Sequence, residues 1–194
     1  MERLAIWYAE IIRYLQNNRI WILAALLMII EILIFTCLHA EPNQHYEQYV
    51  AETLPEYPGL LWFIVLENLK SAAWLVVFGF VPCGLGILFG TFMAINGLVT
   101  TMKWLLPLAG AKQIFLGTVS HGIFEIPAII FSVVLGVLLS KATTVMLLEK
   151  IRGIPKSHSY KGELCLIWKS VGLILVPLFT IAGVVEVTIS CYLV

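Results

Sequence analysis

Apolar residues fall in five long stretches, at 20–39, roughly 60–81, roughly 83–100, roughly 112–139 and roughly 165–193. A helix rises about 1.5 Å per residue, so about 20 apolar residues cross a hydrocarbon core roughly 30 Å thick. Each stretch therefore predicts one membrane-crossing helix, because lipid offers the backbone no hydrogen-bond partner outside the helix itself. The expected fold class is all-α: a polytopic membrane helical bundle of about five transmembrane helices, forming a single domain over 1–194. The first stretch continues to Leu38 without an Ala-x-Ala ending, which makes it a retained span rather than a cleaved signal.

Two spans carry irregular features. The second and third are separated only by Gly79-Phe-Val-Pro82-Cys-Gly84, which predicts a tight turn. The third holds Gly86, Gly90 and Gly97, small residues that let neighbouring helices come close. The fourth is expected to be broken by Gly122 and Pro127, since proline removes a backbone donor and frees a carbonyl one turn back. The segment 141–153 reads as an interfacial helix stopping at Gly153 and Pro155.

The linkers set the expected orientation. Met1 to Arg19 holds Arg3, Arg13 and Arg19, and the basic linker 141–163 holds Lys141, Lys150, Arg152, Lys156 and Lys161; both are expected in the cytoplasm. The loop 40–58 has Glu41, Glu47, Glu52 and Glu56 but no Lys or Arg, and is expected outside. An odd number of spans then puts the carboxyl terminus outside. Lys103 and Lys112 on the outer linker are an exception to the charge rule.

Composition agrees with this pattern: 60% of the 194 residues are apolar and 12% charged, which is a membrane rather than a soluble composition. Twelve basic and twelve acidic residues balance, so there is no basic field to attract nucleic acid, and the lipid bilayer is the first partner. Cys37, Cys83, Cys165 and Cys191 form no Cys-x-x-Cys pair and read as small hydrophobes.

Against this background the ionisable groups inside the spans stand out. A charge at mid-membrane costs roughly 2.5–3.5 kcal/mol on insertion scales and persists where it faces protein, a cavity or a reaction. His121 and Glu125 are one helical turn apart, in Ser-His-Gly-Ile-Phe-Glu-Ile-Pro. Helix rise places Glu31, Glu67, His121 and Glu186 at one depth, roughly 10–14 Å below the outer surface. Asn68, Asn96 and Glu125 lie at the same layer or deeper. Such a cluster could hold a divalent metal ion through His121, Glu67, Glu31 and Glu186, relay protons, or activate water for hydrolysis with His121, Glu125 and Glu67 as catalytic groups. A structural reading stands beside each: Glu67 can pair with Lys70 three residues on, and Glu31 and Glu186 can bond Ser or Thr of neighbouring helices. Asn68, Asn96, Gly97, Gly122 and Pro127 are candidate binding or cavity-shaping residues.

The run Asn68-Leu-Lys-Ser-Ala-Ala, the third span ending Asn96-Gly97, and above all His121-Gly-Ile-Phe-Glu-Ile-Pro-Ala128 resemble the stage II sporulation protein M family. Ser120 stands where that family's pattern often has proline, and Thr100-Thr101 lie where a glycine is often found. The resemblance covers roughly 60–140. It implies a membrane subunit in one of two roles. One is envelope remodelling beside peptidoglycan-processing partners. The other is maturation, export or immunity for a circular bacteriocin, often beside an ABC-type ATPase, and short soluble segments favour it.

Two functions therefore compete. One is a non-catalytic subunit that binds a hydrophobic peptide or membrane protein between its helices. The other is an intramembrane hydrolase or peptide transferase using the His/Glu layer, although neither His-Glu-x-x-His nor Gly-x-Ser-x-Gly is present. The five-span orientation is testable directly. A cysteine placed at Gln48 should react with an impermeant thiol reagent added outside intact cells, and labelling only from the cytoplasmic side would reject the arrangement.

Overall fold

The computed structural model describes the backbone of residues 2–42, 59–153 and 160–193, and the side chains of these apart from 2, 60, 105, 108–121 and 189–193. Every regular element among the described residues is helical. The helices are α1 (Glu2–Asn17), α2 (Arg19–His39), α3 (Gly59–Val77), α4 (Leu85–Arg152), α5 (Tyr160–Ser170) and α6 (Val176–Leu193). Tight turns at Phe78–Phe80 and Pro82–Gly84 join α3 to α4, and a π-helical turn at Val171–Leu175 joins α5 to α6. Five segments are long and apolar enough to span a membrane: Arg19–His39, Leu61–Phe80, Pro82–Trp104, Gly122–Arg152 and Tyr160–Thr188. The five apolar stretches thus become five candidate spans.

α4 contains two of them. As one straight rod its 68 residues would be about 102 Å long, with Ile87 and Gly136 about 74 Å apart. Instead, a Cβ built on Gly136 would lie 2.5 Å from Ile87 Cδ1 and 2.7 Å from Leu75 O. Gly84 N–H also donates to Ser140 Oγ at 2.8 Å. The chain therefore reverses between Trp104 and Gly122, and the two arms of α4 run antiparallel. Gly122 and Pro127, expected to break the fourth span, lie within continuous helical backbone. One missing N–H can be tolerated there because packed neighbours hold the rest of the turn. The segment 141–153, expected as a separate interfacial helix, continues the same arm to Arg152. Gly153 closes it at φ 64°, its N–H bonding Glu149 O.

The second arm is the centre of the bundle. Half of its most apolar window is buried, against 17% for the first span. Ala128, Val134, Leu135, Leu138 and Leu139 of this arm share one core with Ala72 and Val76 of α3, Ile167 of α5, Leu175 and Phe179. Close approach is made by glycine. A Cβ on Gly79 would strike Gly136 O, and one on Gly90 would lie 2.5 Å from the Phe78 ring. Gly86 likewise lies against Phe78 O.

The ends of the spans are closed by side chains from elsewhere in the chain. The first N–H groups of a helix lack intrahelical partners. At the start of α4, Cys83 N–H donates to Thr144 Oγ1 at 2.7 Å and Gly84 N–H to Ser140 Oγ, while Ser140 Oγ donates to Val81 O at 2.9 Å. At the end of α2, Lys103 Nζ donates to both Cys37 O and Ala40 O at 2.8 Å. A cation at a helix C-terminus also meets the negative end of its dipole, which gives this charge-rule exception a structural role. Pro177 leaves Leu173 O without its usual donor, and Tyr8 of α1 fills the gap with its hydroxyl at 3.2 Å. The segment before Arg19, read from sequence only for its basic charges, is a helix docked on α5 through Tyr14 with Glu163 and Glu10 with Lys169.

Two alanine substitutions separate packing glycines from open ones. Gly136→Ala should destabilise the protein by about 1–3 kcal/mol, since Ile87 and the Leu75 carbonyl leave no room. Gly97→Ala, with nothing within 4 Å of its Cβ, should not. Unfolding in detergent, followed by loss of helical circular dichroism, reads both.

Candidate functional site

Asn68 on α3, Gly97 on the first arm of α4 and Glu125 on the second arm converge on one cavity of about 270 Å³. Antiparallel arms bring the third and fourth spans together there, with α3 closing one side and Phe179 of α6 the other. Its polar groups are the Asn68 amide, the Ser71 and Thr101 hydroxyls and the Glu125 carboxyl. Its apolar wall includes Ala72, Leu75, Ile95, Leu98 and Ile129. The space beside Gly97 is open, so this glycine does not serve a close helix approach as Gly86 and Gly90 do.

A cavity of this size can take one or two apolar side chains of a segment lying across it and hydrogen-bond that segment at a few points. It also lines one cavity with a carboxyl and two hydroxyls, the kinds of group that general acid or base chemistry uses.

The remaining candidates are dispersed. Glu67 bonds Lys70 Nζ at 3.2 Å, with side chains 42% and 63% exposed, so it forms the local ion pair that the spacing allowed. Glu31 is exposed on α2, Asn96 is half-buried beside the cavity, and Glu186 is half-buried on α6. Gly122 is buried, with Ile126 Cδ1 3.5 Å from where its Cβ would be. Pro127 lies on a different groove, an apolar one shared with Leu15, Ile22 and Leu26. The His121 side chain lies outside the described residues. Among the described residues no three His, Cys, Asp or Glu side chains gather closely enough to hold a metal ion.

At the opposite end of the bundle is a polar network that the sequence pattern did not reveal. Lys141 Nζ lies 3.6 Å from Glu163 Oε2, with both side chains about 15% exposed, and donates to Asn18 Oδ1 at 2.9 Å. Tyr14 donates to the same Glu163 oxygen at 3.1 Å, and Asn18 Nδ2 donates to Tyr14 O at 2.9 Å. Lys141 reads from sequence only as a linker charge, and nothing in the pattern singles out Glu163. Their partners are 123 and 149 residues away, so no local spacing signals them. A larger cavity of about 660 Å³ adjoins this end, between Val145, Met146, Lys150, Tyr160 and Lys161. It lies at the helix ends and contains none of the mid-span polar groups.

Burial, the Glu163 charge and the hydrogen bond to Glu163 together push the Tyr14 phenol far above its ordinary value. The folded state therefore favours the neutral phenol. Its contribution to stability is complete below the unfolded value of about 10 and is lost as the pH rises beyond it. Wild-type thermal stability should thus fall more steeply above about pH 10 than that of Tyr14→Phe. Parallel decline of the two in a melting series would show that the network contributes nothing.

A protein-family model described as Stage II sporulation protein M matches residues 19–191, nearly the whole chain. No curated protein and no solved structure matches it.

Proposed function

Because this chain belongs to the stage II sporulation protein M family, we propose that it is a non-catalytic multi-pass membrane subunit that binds a hydrophobic peptide segment in the cavity at Asn68, Gly97 and Glu125. In this reading it acts with partners, an ABC-type ATPase among them, in maturation, export or immunity for a circular-bacteriocin-type peptide. Envelope remodelling is the family's other role. The cell membrane is its location, with the Lys141 end and the amino terminus in the cytoplasm. The observation that carries the reading is the convergence of three polar or small residues from three separate spans on one largely apolar cavity. A peptide segment placed there would bury apolar side chains against Leu98 and Ile129, and its polar groups would meet Asn68 and Glu125.

The second reading, an intramembrane hydrolase or transferase, draws on Glu125 standing in the same cavity as Ser71 and Thr101. His121, one turn before Glu125, would then polarise the scissile carbonyl or hold a divalent metal with Glu67, Glu31 and Glu186.

Two variants separate the readings when function and protein abundance are measured together, as survival of a sensitive host challenged with the peptide and as membrane-fraction immunoblots. Gly97→Leu should fill the cavity and lower protection at normal abundance, because nothing lies within 4 Å of a Cβ at this position and the rest of the side chain enters the cavity that Gly97 lines. Glu125→Gln keeps a hydrogen-bonding group and removes the acid, so it should retain most of the function. Abolished function at normal abundance for Glu125→Gln would favour chemistry, because only groups needed in the transition state lose rate without loss of fold.

A further inference from the structure

α1 has two apolar edges, and the bundle covers one of them. Ile11 and Tyr14 are buried, whereas Leu4, Tyr8 and Ile12, spaced four residues apart along the neighbouring edge, are exposed at 47%, 43% and 53%, Tyr8 through its ring while its hydroxyl reaches Leu173 O. Glu10 is bonded to Lys169 at 2.9 Å, and Lys169 also sits 5.2 Å above the Trp7 ring. Arg3, Arg13 and Arg19 are exposed along and just beyond the helix. Asn18 alone separates α1 from the first span, with φ −110° and ψ 19°, so α1 leaves that span at a corner where the span ends.

We propose that α1 is a binding surface for anionic phospholipid. Its Leu4–Tyr8–Ile12 edge lies at the boundary of headgroups and acyl chains, and Arg3 and Arg13 engage lipid phosphates. Three observations converge on a lipid surface rather than a protein partner. The exposed apolar edge ends about two turns before a membrane span begins, so the helix that carries it is tied to the membrane surface. Trp21 stands three residues past that corner, at the start of the first span, where indoles are enriched. Of the two acids on the helix, Glu2 and Glu10, the second is already matched by Lys169, so Arg3, Arg13 and Arg19 outnumber the one acid left and α1 with its junction is basic. An anionic leaflet is the complement of that charge.

Amide hydrogen exchange over residues 2–17 of the full chain tests this. The chain is reconstituted in vesicles of phosphatidylcholine alone or of equimolar phosphatidylcholine and phosphatidylglycerol. Exchange in α1 should be slower in the anionic vesicles, on the order of tenfold or more for two arginines. Arg3→Gln with Arg13→Gln should erase that difference, and so should high salt, while protection of α5 stays unchanged. Equal exchange of wild-type α1 in both vesicles would overturn the proposal without recourse to any variant. So would a difference that survives in the double variant. Protection that follows the protein-to-lipid ratio instead of the anionic lipid would show that a second copy covers the edge, and would reject it equally.

Discussion

Inside a bilayer the backbone must satisfy its own hydrogen bonds, and the places where a helix starts, stops or contains proline are where it cannot do so locally. The architecture depends on how these gaps are filled. Ser140 and Thr144, one turn apart on the second arm of α4, receive the orphan N–H groups of Gly84 and Cys83. That arm is thereby fixed against the turn between the second and third spans. Lys103 does the reciprocal job at the other end, holding the last carbonyls of α2. Tyr8 completes the set at the carbonyl left by Pro177. Each closure spans a long stretch of sequence, so together they set which helices are neighbours and at what height.

Once those heights are set, side-chain size decides how near the helices come. Gly79, in the turn after α3, lies against Gly136 of the second arm, and Gly90 receives the Phe78 ring. Van der Waals packing of this kind is the main attraction between helices in lipid, where apolar burial adds little. Where the chain has Gly97 instead of a packing partner, space remains. The cavity with Asn68 and Glu125 is that space, and the cost of polar groups at such depth explains why they line an opening rather than meet hydrocarbon.

Burial also accounts for the two ends differing in character. Tyr14, Asn18, Lys141 and Glu163 form a chain of hydrogen bonds with little water access, joining α1 and its junction with the first span to the fourth and fifth spans. Removing one partner from such a network leaves others unsatisfied, so its members act as a unit. Glu67 and Lys70, by contrast, are exposed and adjacent on one helix, where an ion pair contributes little beyond local charge balance.

The sequence by itself determined the number of candidate spans and the tight turn at Gly79–Gly84, because apolar length and Gly/Pro punctuation act locally. It determined the ion pair of Glu67 with Lys70 for the same reason, and it marked Asn68, Gly97 and Glu125 as polar or small residues placed at depth. Depth alone, however, does not say toward which neighbour a side chain points. Only the tertiary structure decided that Asn68, Gly97 and Glu125 share a cavity, that Glu31 is exposed and Pro127 lines another groove, and that Gly122 and Pro127 leave the helix continuous. Rotation of each helix about its axis is set by partners far away in the chain: Ser140 for Gly84, Lys103 for Ala40, Glu163 for Tyr14. Those pairings have no period in the sequence, since they are fixed by the packing of separate helices against one another.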